Sequence, residues 1–210
     1  MATFPKIKFL PGASGNTEFW KPVAAAMQVP EAITEHLGWP GLGPTPVDPA
    51  VSSLDDLVAQ LSERITEPTA LVAQSMGGVV ALKVALKVAR DRPHLITHLV
   101  LAALSGGIDV QRHGARDWRP ARAQLDPGNP SHLFARYDGD LTPALASIQI
   151  PTLLLWGGAD PISPVAVGQW LSGVLPRSAL HVVEDGDHSF CHSRADGVAP
   201  LIARHLVSGG

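Results

Sequence analysis

Ser75 is the residue in this chain best placed to do covalent chemistry. It sits in Ala73-Gln74-Ser75-Met76-Gly77, after an apolar run, Thr69-Ala70-Leu71-Val72, and before a helical pattern from Gly78 to Arg90. Small residues two before and two after a serine, between strand and helix, are the pattern of a nucleophile elbow. The turn is tight, so its neighbours must lack bulk. It lifts the hydroxyl clear of the sheet and aims the following N–H groups at one point. The usual pattern is G-x-S-x-G, and Ala73 is one methyl larger than its first position. A serine hydroxyl is a weak nucleophile until a base takes its proton. The base is normally a histidine that a carboxylate orients.

Both partners follow later apolar runs. Asp160 lies in Gly157-Gly158-Ala159-Asp160-Pro161, after Leu153-Leu154-Leu155-Trp156. His188 lies in Glu184-Asp185-Gly186-Asp187-His188, after His181-Val182-Val183. Asp160 could instead cap a helix beginning near Ser163, and His192 is the rival base. His188 is preferred because it directly follows the acidic loop. Asp185 and Asp187 read as solvated loop residues.

These loops need a frame to bring them together. Short apolar runs alternate with helical patterns along the chain. Strands are expected at Lys6–Leu10, near Ala32–His36, at Thr69–Val72, Thr97–Leu104, Pro151–Trp156 and Leu180–Val183. Helices are expected over about Glu18–Met27, from Ser52 or Ser53 as N-cap, over Gly78–Arg90 and over Ala195–Val207. Asp55 and Asp56 in a first turn favour the helix dipole, and Leu54, Leu57, Val58 and Leu61 recur at helical spacing. Near-continuous apolar strands alternating with helices imply a parallel sheet covered on both faces. Ligands of such sheets sit beyond the carboxyl ends of the strands. The segment from Ile108 to Gln149 breaks the alternation. It is polar, rich in proline and arginine, and reads as a small lid over that edge.

Composition narrows the classes. The chain has 210 residues, 45% of them hydrophobic, and a formal net charge of −3. That suits one folded domain, here 1–210, with a substantial core. It offers no basic footprint for nucleic acid. Cys191 is the single cysteine, so an internal disulfide and a cysteine-based zinc cluster are excluded. It reads as a small packed side chain. His36, His94 and His205 are scattered without metal-ligand spacing, and no metal or cofactor is expected. The N-terminus has no charged-then-apolar signal segment, and no apolar run approaches the ~20 residues of a membrane span. The expectation is a cytoplasmic protein with a small-molecule substrate and neither nucleic-acid nor membrane partner.

Taken together, the loops resemble those of the α/β-hydrolases of the esterase/lipase type over nearly the whole chain. The order Ser75, Asp160, His188 is that family's order. "LLLWGGADPISP" resembles its acid loop, "VEDGDHSF" its histidine loop, and "FLPGASGNTEFW" its oxyanion loop, in which Pro11 replaces the usual histidine. The resemblance implies an α/β-hydrolase fold, a mostly parallel central sheet with helices on both faces and a short lid. It implies a serine hydrolase that cleaves a small carboxylic ester or related acyl compound through an acyl-enzyme. The oxyanion donors would be the N–H groups of Met76 and, by resemblance, Ala13. Gly12 and Trp20 are candidate substrate contacts, although Trp20 could equally be core. Arg112, Arg116, Arg119 and Arg122 could bind a substrate carboxylate or form a solvated lid face. Carboxylate binding would suit a carbon–carbon bond hydrolase. Lyases, perhydrolases and cofactor-free dioxygenases use the same triad. A non-catalytic ligand-binding protein is the third reading, disfavoured because all three triad residues are present.

Overall fold

A computed structural model describes residues 4–120 and 132–207. Its centre is a six-stranded sheet: β1 (Lys6–Leu10), β2 (Thr34–His36), β3 (Thr69–Gln74), β4 (Ile96–Ala102), β5 (Thr152–Gly157) and β6 (Ser178–Val183). Every neighbouring pair is parallel, in the order β2-β1-β3-β4-β5-β6. The α-helices bounded within the described residues are α1 (Lys21–Ala26), α2 (Leu54–Glu63), α3 (Met76–Asp91), α4 (His132–Ala135), α5 (Thr142–Leu145), α6 (Val165–Val174), α7 (Phe190–Ser193) and α8 (Ala195–Val207).

The period-two alternation of the strands divides the core. Leu71, Ala73, Leu99, Leu101, Leu154 and Trp156 face one layer with α2, α3 and α6. Ala70, Val72, Val100, Ala102, Leu153 and Leu155 face the other, with α1 and α8. β3 is buried along its whole length, as a central parallel strand covered on both faces must be.

Several boundaries differ from the sequence reading for local reasons. The first helix begins at Lys21 rather than near Glu18, because Pro22 stands in its first turn, where a missing N–H costs nothing. The residues before it form turns, with Phe19 N–H donating to Asn16 O at 3.2 Å. Glu31–Ile33 form a 3-10 turn, which shortens β2 to Thr34–His36. The N-cap of α2 is Ser53, in a reciprocal capping box with Asp56. Among the described residues of 108–149 there is no strand, and the short helices α4 and α5 occupy part of it. No helix among the described residues is long and apolar enough to cross a membrane.

The topology fixes where chemistry belongs. From β1 the chain goes outward to β2, then crosses back to β3 on the other side of β1 and continues to β6. The order therefore reverses between β1 and β3, and a crevice opens beyond their carboxyl ends at such a switch point. Leu10 pairs with Ala73 there, so Gly12 and Ser75 leave the sheet side by side.

Candidate active site

Ser75 links β3 to α3 with φ 55° and ψ −125°. A non-glycine residue pays roughly 1–3 kcal/mol for such backbone, and the surroundings enforce it. Ser75 N–H donates to Ala102 O at 2.8 Å, and Gly78 N–H to Ser75 O at 3.0 Å. The reversal presses α3 onto the end of β1: a Cβ on Gly77 would lie 2.3 Å from Pro11 O. Ala73 is tolerated where glycine is usual because it is an ordinary ladder residue, paired with Leu10 and Leu101.

The structure brings Ser75, His188 and Asp160 into one hydrogen-bonded chain. His188 Nε2 is 3.0 Å from Ser75 Oγ, and His188 Nδ1 is 2.7 Å from Asp160 Oδ2. A carboxylate can only accept, so Nδ1 carries the proton and Nε2 presents its lone pair to the serine. Asp160 is 4% exposed. Its second oxygen accepts from Ile162 N–H at 2.8 Å and Ser163 N–H at 3.1 Å. It thus shapes the turn before α6, whose N-cap is Pro164. The acid and histidine loops are fitted together: a Cβ on Gly157 would lie 2.3 Å from Gly186 O, and Ala159 N–H donates to Gly186 O at 2.9 Å. Gln74 Nε2 donates to His188 O at 3.1 Å. His192 turns elsewhere, its Nδ1 2.9 Å from Phe19 O. Asp187 accepts from Ser189 N–H at 2.9 Å, as a turn residue does.

The loop after β1 is held by two indoles. Trp20 Nε1 donates to Leu10 O at 3.0 Å, and Trp39 Nε1 to Gly12 O at 2.8 Å. Gly12 must be glycine, since a Cβ there would lie 2.4 Å from Gln74 Oε1. Met76 is the first residue of α3, so its N–H has no carbonyl to bond within the helix. The positive end of the α3 dipole points at the same spot. Trp20 corrects the sequence reading. It is 1% exposed and packs edge-on against Phe19, ring centroids 5.2 Å apart. Its donor needs a buried partner and finds one in the loop carbonyl, so it lies beneath the loop and Phe19 faces the cleft.

The cleft beside Ser75 holds about 260 Å³ and is lined by Gly12, Ala13, Ser14, Asn16, Phe19, Gln74, Ser75, Trp118, Ile162, His188 and Ser189. A larger cavity of about 480 Å³, lined by Pro40, Ser52 and Tyr137 among others, holds none of the three chain members. We assign the chemistry to the smaller one because the nucleophile–base geometry is there. The lid arginines among the described residues do not line it. Arg119 meets Asp117 at 3.6 Å and donates to Tyr137 O at 3.3 Å. Arg112 and Arg116 are likewise absent from its walls, and Arg122 lies outside the described residues. Cys191 is buried, which pushes its thiol well above the ordinary range.

Sequence reasoning passed over Phe19, Trp39, Gln74 and Ser105; Trp118, which it grouped with the lid arginines, lines the cleft without them. Ser105 Oγ lies 2.7 Å from Ser75 Oγ, and its position directly after the strand expected at Thr97–Leu104 was the signal that could have found it; β4 itself ends at Ala102. Trp39, an aromatic inside a Gly/Pro-rich loop, was a weaker signal.

Comparison with known proteins shows the family and the fold. A model of the "Alpha/beta hydrolase family" matches residues 9–201. A poly(3-hydroxyalkanoate) depolymerase of Ectopseudomonas oleovorans is 42% identical over 62 residues, which span 30% of this chain and 22% of that protein. The pimeloyl-[acyl-carrier protein] methyl ester esterase of Chromobacterium violaceum is 24% identical over 206 residues, 80% of this chain and 81% of that one. The thermophilic esterase from Thermogutta terrifontis superposes with TM-score 0.75 at 19% identity, covering 99% of this chain and 92% of its own.

Proposed function

The chain belongs to the alpha/beta hydrolase family, and within it we propose that this protein is a serine hydrolase for small carboxylic esters or related acyl compounds. The observation that carries the reading is the continuous chain Ser75–His188–Asp160 at the switch point of the sheet. Relatives named as esterases support the ester bond as its target.

Ser75 Oγ attacks the carbonyl carbon while His188 Nε2 takes its proton. Asp160 holds the Nδ1–H and stabilises the imidazolium that forms. The carbonyl oxygen, now negative, is met by the N–H groups of Met76 and Ala13. One such donor is worth ~3 kcal/mol of transition-state stabilisation. The tetrahedral intermediate collapses, and His188 returns the proton to the departing alcohol. Water then enters and gives a proton to His188 as it attacks the acyl carbon. The second intermediate releases the acid, and the proton goes back to Ser75 Oγ. Phe19, Trp118 and Ile162 supply apolar wall for an acyl or alcohol group. Among the described residues lining the cleft there is no arginine or lysine.

Hydrolysis of short and medium p-nitrophenyl esters tests this, with Ser75→Ala as control. Wild-type turnover should exceed that of the variant by up to about a million-fold, the cost of serine removal in a protease with this triad. Equal rates for the two proteins would overturn the assignment of the nucleophile.

A further inference from the structure

Among the described residues Ser75 Oγ has two hydrogen-bonding neighbours, and only one of them is His188. From the opposite side Ser105 Oγ approaches to 2.7 Å. Ser105 is 1% exposed and is not among the residues lining the cleft, so a substrate does not meet it. Its hydroxyl reaches the nucleophile from beneath.

Counting protons assigns the direction of the contact. The Nδ1–H of His188 is committed to Asp160, and Nε2 accepts. The single proton of Ser75 must therefore point at Nε2. Ser75 Oγ can then only accept from Ser105, whose O–H is the donor. The backbone holds that donor in place. Ala103, two residues before it, has φ 48°, and its N–H donates to Leu155 O at 3.0 Å. Leu104 O accepts from Ser163 Oγ at 2.6 Å, and Ser163 N–H is bound to Asp160. The indole of Trp118 reaches Ser105 O at 3.4 Å. Acid and nucleophile are thus tied twice: through His188 on the cleft side, and through Ser163, Leu104 and Ser105 on the buried side.

We infer that Ser105 is a catalytic hydroxyl of the same site, which donates to Ser75 Oγ and so turns the nucleophile's own proton toward His188. The inference rests on Ser75 being the nucleophile. As His188 removes that proton, negative charge builds on Oγ, and the buried Ser105 O–H is already aimed at it. Ser105 keeps its own proton and forms no covalent bond. Once the acyl group is attached, Oγ is an ester oxygen and a poorer acceptor. When the second intermediate collapses, His188 restores the proton to Oγ and the original bond re-forms. Because Ser105 does not touch the cleft, its loss should act on turnover and not on substrate binding.

The test compares wild type, Ser75→Ala, Ser105→Ala and Ser105→Cys, each checked by thermal unfolding. Two rates are read: fluorophosphonate labelling, and p-nitrophenyl ester turnover with kcat and KM separated. Wild type should label and Ser75→Ala should not. Failure of wild type to label would sink the nucleophile assignment itself. With labelling intact, Ser105→Ala should lose about tenfold or more in both labelling rate and kcat, the scale of one lost hydrogen bond in the transition state, with KM unchanged. Ser105→Cys fills nearly the same volume with a weak donor, and should remain as slow as the alanine variant. Wild-type rates in Ser105→Ala would overturn the inference. So would full recovery in Ser105→Cys, which would make the contact one of packing alone.

Discussion

Two histidine neighbourhoods in this molecule are both partly buried and differ in what faces the ring nitrogens. His188 lies at the carboxyl edge of the sheet, with a carboxylate on one nitrogen and a hydroxyl on the other. His205, on α8, packs edge-on against His98 of β4, ring centroids 5.1 Å apart, with its Nε2 3.0 Å from Leu99 O. Burial, and secondarily the neighbouring His98, lower its pKa to about 4. One ring has a carboxylate on Nδ1 and an outlet to a cleft. The other sits where a proton is penalised. Burial alone does not make a histidine a base; a buried carboxylate facing one nitrogen and a nucleophile facing the other do.

The largest break in this comparison is Asp160→Asn. The amide can still accept from Ile162 and Ser163, so the turn should persist, but Nδ1–H loses its carboxylate. Turnover should fall about 10⁴-fold, as in a protease triad given the same change, with little change in melting temperature. Unaltered kcat would mean the acid is another residue.

The reverse experiment is His205→Phe. A histidine whose folded pKa lies below its unfolded value of ~6.5 stabilises the native state above that value. That stability is lost as pH falls toward 4, because the unfolded chain binds the proton more readily. The melting temperature of the wild type should therefore decline over this interval, and the decline should be shallower in His205→Phe. Ester turnover at neutral pH should stay within about twofold, as for independent sites. An identical pH dependence in both proteins would contradict the burial argument.

A smaller effect is expected from Trp39→Phe, which keeps an aromatic ring but deletes the donor to Gly12 O. The oxyanion loop would lose one of its two indole ties, and kcat should drop by roughly tenfold, one hydrogen bond's worth. Arg119→Ala should do least. Its guanidinium is engaged with Asp117 and the Tyr137 carbonyl, so KM for a neutral ester should hold within about twofold. A large rise in KM would place that arginine in the cleft after all.

Much of this arrangement was readable beforehand, for identifiable reasons. Strand periodicity and Gly/Pro punctuation located all six strands, β1 to the residue. The residues just past β3, β5 and β6 are those that meet around Ser75. What escaped reading depends on hydrogen bonds between distant segments. Nothing local to Trp39 says that its indole will find Gly12 O 27 residues away. Trp20 and Phe19 are adjacent aromatics, and which one faces the cleft depends on a turn set by Pro22 and on a carbonyl that needs a donor. Gln74 occupies a freely variable position of the elbow, yet it holds the histidine loop. The lid arginines are close in sequence, which says nothing about where their guanidinium groups point.

The most direct measurement is the mass of the protein after reaction with a fluorophosphonate, with the modified peptide sequenced. The account predicts a single adduct, on Ser75, that is absent from Ser75→Ala. An adduct on another residue, or ester hydrolysis that persists with Ser75 unmodified, would contradict it.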